Sequence, residues 1–176
     1  MTDDDISANT KSIGRIMLFA AWILIFVGLV AFFGKWEQHQ YNPNQQIRGI
    51  EEGGVREITL EANRLHHYVA NGEINGRPVV FLVDTGATAV SVPEDLANDI
   101  GLIKGFKGYA QTANGTVAVW ATTIDELTLG NLVFYDIRAS INPGMEGNEV
   151  LLGMSALKQV ELEQKNNKLT LRQYLE

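Results

Sequence analysis

Residues 16–33 contain no charged side chain, reading Ile-Met-Leu-Phe-Ala-Ala-Trp-Ile-Leu-Ile-Phe-Val-Gly-Leu-Val-Ala-Phe-Phe. As a helix rising about 1.5 Å per residue, this run is roughly 27 Å long, close to the hydrocarbon thickness of a bilayer. Arg15 and Lys35 bracket it, and Trp36 and Tyr41 suit an interface. A cleaved secretory leader needs a shorter apolar core and a small-residue exit, whereas Phe32 and Phe33 stand at that exit. The run predicts a single permanent anchor and obliges the remainder to fold separately.

The flanking charges favour a cytoplasmic amino terminus. Lys11 and Arg15 precede the run, and Lys35 and the distant Arg48 follow it. The Asp3-Asp4-Asp5 stretch carries little weight under the positive-inside rule. Residues 1–15 then form a cytoplasmic tail, 16–33 the transmembrane helix and 34–54 a polar tether rich in Gln and Asn. Residues 55–176 form one domain, placed outside the cytoplasm. A net charge of -7 without a Lys/Arg cluster argues against nucleic acid as a partner. The absence of cysteine excludes disulfides, thiol catalysis and zinc–thiolate sites.

The domain reads as nearly all β. Ile58 and Leu60 alternate with polar neighbours. Asn75-Gly76, a favoured two-residue hairpin turn, separates a strand over 67–74 from one over 77–83. Ala113-Asn114-Gly115, Gly130-Asn131 and Asn166-Asn167 mark three more hairpins. A helix is expected after Ser91-x-x-Glu94, which has the form of a capping box, with Gly101 ending it. A shorter helix is expected near Met154, capped by Ser155. Many short strands, tight turns and few helices indicate a small closed β-barrel or sandwich.

Behind the apolar run Val79-Val80-Phe81-Leu82 comes Val83-Asp84-Thr85-Gly86-Ala87-Thr88, which occurs once. An apolar strand holds Asp84 firmly at its end, and Gly86 permits a tight turn while leaving room for water and substrate. Thr85 brings a hydroxyl able to reach a partner loop. Peptide hydrolysis without metal or covalent intermediate needs a water activated by a base, with an acid beside it. Two carboxylates about 3 Å apart supply both, because they share one proton.

This loop, Thr112-Ala113-Asn114-Gly115 and Leu151-Leu152-Gly153-Met154-Ser155, in that order, resemble the retroviral-type (retropepsin-like) aspartic proteases. The likeness is greatest to their membrane-anchored bacterial relatives and extends over residues 67–171. It implies a barrel of the retroviral aspartic protease type, with Asp84 as catalytic carboxylate. Thr85 and Gly86 become its supporting loop, and Ala87 and Thr88 the flanking substrate-side positions. Ala113, Asn114 and Gly115 become a flap over the substrate, and Leu151, Leu152 and Gly153 an element beneath the catalytic loop. A single Asp-Thr-Gly in a chain this short implies a homodimer, one Asp84 from each copy. The expectation is an endopeptidase without metal or other cofactor, acting on peptides from a bacterial inner membrane. One departure is Ala156, where the bacterial relatives tend to carry an aromatic residue.

Other readings fare less well. A phosphoryl-transfer aspartate of the dehalogenase type wants a second Asp or a Lys-Thr-Gly just after the first, on an α/β sheet. His66 and His67 are adjacent, so on a strand they would point to opposite faces and form no metal site. Phe106, Tyr109 and Trp120 lie around the flap, with core packing as their default role and the lining of substrate subsites as the alternative. A membrane-tethered binding or assembly module that keeps the protease fold is the alternative function.

Overall fold

Each two-residue turn is formed as its residues require. Asn75 and Gly76 have φ of 50° and 72°, and Asn166 and Asn167 have φ of 52° and 59°, the paired positive values of the turn that matches strand twist. They belong to a computed structural model that describes residues 3–112 and 115–175. The chain divides into two units, Met1–His39 and Gln40–Glu176. Helix α1 (Asp3–Tyr41) makes up the described part of the first unit and ends in the second. Within it, Met17–Tyr41 is long and apolar enough to cross a membrane, with a mean hydropathy of 2.5 over its most apolar window. Its apolar side chains are exposed from Met17 to Trp36, and no part of that window is buried within the chain.

The second unit carries strands β1 (Gly49–Glu52), β2 (Val55–Glu61), β3 (Val69–Ile74), β4 (Arg77–Val83) and β5 (Val90–Pro93). Helix α2 (Glu94–Asp99) precedes the long strands β6 (Lys107–Thr112), β7 (Gly115–Leu129) and β8 (Leu132–Asn142). Strand β9 (Glu149–Leu152), helix α3 (Met154–Leu157), β10 (Glu161–Lys165) and β11 (Lys168–Tyr174) complete it. The strands form two sheets, a four-stranded one ordered β1-β2-β11-β10 and a seven-stranded one ordered β3-β4-β9-β5-β8-β7-β6. The expected barrel closes only through a short seam. Glu73 and Ile74 of β3 pair with Thr128 and Leu127 of β7, which curls the larger sheet back on itself.

Phe81, Phe134, Ile74, Ile124, Leu127 and Leu152 are fully buried between these strands. Each contributes on the order of 1.5–3 kcal/mol of burial. Along β7 and β8 the inward phase slips by one residue at Asp125 and Asp136, where the register skips a pair and Asp136 takes φ 52°. That kink lets one hairpin serve the core at both ends while bending around it.

Several local expectations change. Segment 34–54 holds more order than a loose tether: α1 runs to Tyr41, β1 begins at Gly49, and Asn42 and Asn44 between them are buried. Asn44 Oδ1 accepts the Glu61 amide at 2.7 Å, and its Nδ2 donates to the Val69 and Glu61 carbonyls. Its own amide donates to Asn42 Oδ1, and its carbonyl accepts the Asn71 amide. Asn side chains here replace missing strand partners, so polar composition did not mean solvent exposure. Ser91 caps no helix; it lies buried in β5, where its hydroxyl donates to Met145 Sδ, and Pro93 occupies the N-cap of α2. Strand pairing outcompeted the capping box there. Gly101 does end the helix, at φ 79°, with its amide on Asn98 O and that of Leu102 on Ala97 O. His66 and His67 lie in the loop before β3, not on a strand.

Candidate active site

Asp84 is the residue that leaves β4. Its amide donates to Leu152 O at 3.1 Å, while the Val83 amide donates to Tyr68 O at 2.9 Å. Strand β4 is thus gripped on both sides at its last residue, antiparallel by β3 and parallel by β9. The chain then turns sharply: the Ala87 amide donates to Asp84 O at 3.2 Å, and the Gly86 amide donates to Asp84 Oδ1 at 2.8 Å. This side-chain-closed turn fixes the carboxyl group and leaves Asp84 Oδ2 without a partner among the described residues. Asp84, Ala87 and Ala89 are half-buried, and Thr85, Gly86 and Thr88 are exposed.

Support comes from the end of β9. Leu152 is fully buried and pairs with Val83, and Leu151 pairs with both Leu82 and Ser91. Gly153 then passes directly under the loop, so close that a Cβ there would run into the carbonyl oxygens of Ala89 and Ala87. The Met154 amide donates to Ala87 O at 2.8 Å. Ser155, expected as a helix cap, instead accepts the Val90 amide at 3.0 Å on its Oγ, and Gly153 holds the N-cap of α3. Ala156 is fully buried in the core, where an aromatic ring would need added space. The Asp-Thr-Gly loop and the Leu-Leu-Gly element therefore form one hydrogen-bonded unit.

Strands β6 and β7 pair from Lys107–Trp120 to Thr112–Gly115, so the expected hairpin forms a two-stranded arm. Gly115 stands at φ 111°, and Thr116 Oγ1 donates to Gln111 Oε1 at 2.8 Å near the end. Ala113 and Asn114 lie outside the described residues. The aromatic residues expected as core are mostly not core. Phe106 is 90% and Tyr109 75% exposed: Tyr109 lies on β6, which pairs on one side only, and Phe106 just precedes it. Trp120 is half-buried, with Lys104 and Lys107 Nζ 5.8 and 5.9 Å from its ring centre.

Beside the loop lies a groove of about 880 Å³. Thr88, Ile103, Phe106, Arg138, Ser155 and Lys158 contribute to its wall. Alternation along β8 indicates that Arg138 faces away from Ile137 and Ala139, but the segments that meet it there are distant in sequence. Among the described residues, no group of three or more His, Asp or Glu converges as a metal site.

Residues 70–159, which include Asp84, the arm and the Leu-Leu-Gly element, match the family described as "gag-polyprotein putative aspartyl protease". The chain belongs to this family. Its fold is similar to that of a retropepsin-like aspartic protease from Rickettsia conorii, at TM-score 0.60 and 24% identity, covering 73% of this chain and 96% of that one. A Sinorhizobium protein, "Uncharacterized protein in cobV 5'region", is 26% identical over 167 residues, 87% of this chain and 71% of its own. That match takes in most of the chain, more than the retropepsin-like region alone.

Proposed function

We propose that this chain is a membrane-anchored aspartic endopeptidase whose active site forms between two copies. The observation that carries the proposal is the Asp84 turn: a half-buried carboxyl group, fixed through Oδ1 by the Gly86 amide, with Oδ2 left to act. One Asp84 per chain supplies one carboxylate, and the chemistry needs two. With two copies facing across a two-fold axis, the ionised Asp84 takes a proton from water as that water attacks the peptide carbonyl. The protonated Asp84 of the other copy gives its proton to the developing oxyanion, and proton transfer to the amine releases the products. Thr85 and Gly86 keep the loop shape, Ala87 and Thr88 flank the substrate, and Leu151, Leu152 and Gly153 hold the loop from beneath. The arm ending at Ala113, Asn114 and Gly115 closes over the peptide.

Helix α1 supports the anchor, since its apolar side chains from Met17 to Phe33 are exposed and none of its most apolar window is buried. We assign 16–33 to the bilayer and, from Lys11 and Arg15, residues 1–15 to the cytoplasmic side of a bacterial inner membrane. Two anchors in one bilayer raise the local concentration of the copies that must meet.

The test is peptide hydrolysis by the full chain in detergent micelles, beside Asp84→Asn. Cleavage is expected in the wild type and lost in the variant. Mixing excess variant with wild type should lower activity more steeply than dilution alone, because mixed pairs hold one competent carboxylate. Cleavage surviving in purified Asp84→Asn refutes the assignment, and loss in simple proportion to dilution refutes the shared site.

A further inference from the structure

The groove beside the Asp84 loop is lined by exposed apolar side chains and by two cations. One wall is apolar and open: Ile103 is 83% and Phe106 90% exposed, with no layer over them. Its lining also includes Arg138 and Lys158, both exposed. Neither makes an ion pair with any described residue, so both charged heads are left to meet a ligand. The chain as a whole is acidic, at -7, whereas the charged residues lining this groove, Arg138 and Lys158, are both cationic. The hydroxyl-bearing residues Thr88 and Ser155 belong to the same lining. Thr88 also belongs to the turn that follows Asp84, so the groove continues from the loop.

We propose that this groove is a specificity subsite for an acidic side chain of the substrate peptide, an Asp or Glu outside the scissile pair. This deepens the endopeptidase reading and rests on it for its role in turnover. Arg138 and Lys158 bind the carboxylate, and an aliphatic or aromatic neighbour in the peptide lies against Ile103 and Phe106. Arg138 can hold the carboxylate through two parallel N–H donors, while Lys158 acts as a point charge. Because both cations are solvated, each contributes a modest preference of about threefold to fivefold. Together they favour Glu over Gln by roughly tenfold, and added salt reduces that ratio.

The experiment uses the full chain in detergent micelles and a fluorogenic peptide library in which one position at a time is Glu or Gln. At one position on one side of the cleaved bond, the Glu peptide should show the higher kcat/KM, mainly through KM. In Arg138→Gln/Lys158→Gln the ratio should fall toward unity, and Arg138→Lys should retain most of it. Arg138→Glu/Lys158→Glu should reverse the choice, favouring Lys over Gln at that position. A binding arm measures the same labelled peptides on Asp84→Asn by fluorescence anisotropy. Cleavage without acidic preference, or a preference that persists in the double Gln variant, overturns the subsite and leaves the protease standing. Tighter Glu-peptide binding that depends on both cations, without cleavage in the wild type, upholds the subsite and removes the protease. Absence of both overturns both.

Discussion

The amide of Asp84 donates to the carbonyl of Leu152 at 3.1 Å, joining the last residue before the turn to the last residue of β9. This bond makes the Asp-Thr-Gly loop and the Leu-Leu-Gly element one structural piece. A carboxyl group held this way keeps its aim without help from distant side chains, so changes around it divide into those that move the loop and those that remove the carboxylate.

Asp84→Asn belongs to the second kind. The Asn side-chain oxygen can still accept the Gly86 amide, so the turn persists. Hydrolysis should drop by at least about 10²–10⁴-fold, the usual worth of general acid–base catalysis. Peptide turnover and a thermal melt on the same preparation check it; a large fall in melting temperature would assign the loss to folding.

Gly153→Ala belongs to the first kind. The added Cβ meets the Ala87 and Ala89 carbonyls, which are backbone atoms with no room to swing aside. Overpacking of this kind costs roughly 1–3 kcal/mol. Denaturant unfolding should show the loss, with reduced hydrolysis accompanying it. A neutral effect would show that the loop yields more readily than its hydrogen bonds indicate.

Asn44→Ala probes the segment after α1. Removing the buried amide strands the Glu61 amide and the Val69 carbonyl. Each buried group left unsatisfied costs about 1–3 kcal/mol. Hydrogen exchange at the start of β3 and the end of β2 should accelerate before the rest of the domain does.

Glu149 gives a pH signature. Burial at the start of β9 pushes its carboxyl above the ordinary value of 4.5. The folded state then binds more protons than the unfolded state between the two values, so stability falls as pH rises through the folded value. Glu149→Gln removes that dependence. Its stability relative to wild type should be highest at neutral pH, decline as pH falls through the raised folded value and level off once pH is below 4.5, read from unfolding midpoints across pH. A difference that is constant with pH would remove the Glu149 explanation.

The shape of the Asp84 loop and its candidate site was legible because it is set by local residues. Asp84 follows an apolar strand, Gly86 permits the turn, and the order of Asp-Thr-Gly, Asn-Gly hairpin and Leu-Leu-Gly is written along the chain. Ser91 and Ser155 were misread because a Ser three residues before a Glu, or beside a helix start, suits a cap as well as a strand partner. What decided between them was β9 and α3 arriving from far along the chain, to meet β5 through Leu151 and Ser155.

The sequence by itself determined the apolar helix, the all-β domain, its two-residue turns and the carboxylate at the end of β4, since each follows from periodicity or backbone freedom within a few residues. The tertiary structure alone decided that the barrel closes through only a two-pair seam and that Asn42 and Asn44 are buried. It alone also decided that Ile103, Phe106, Arg138 and Lys158 share a groove. Those features depend on which distant segments pack together, and long-range packing is a property of the whole chain that no short window of residues contains.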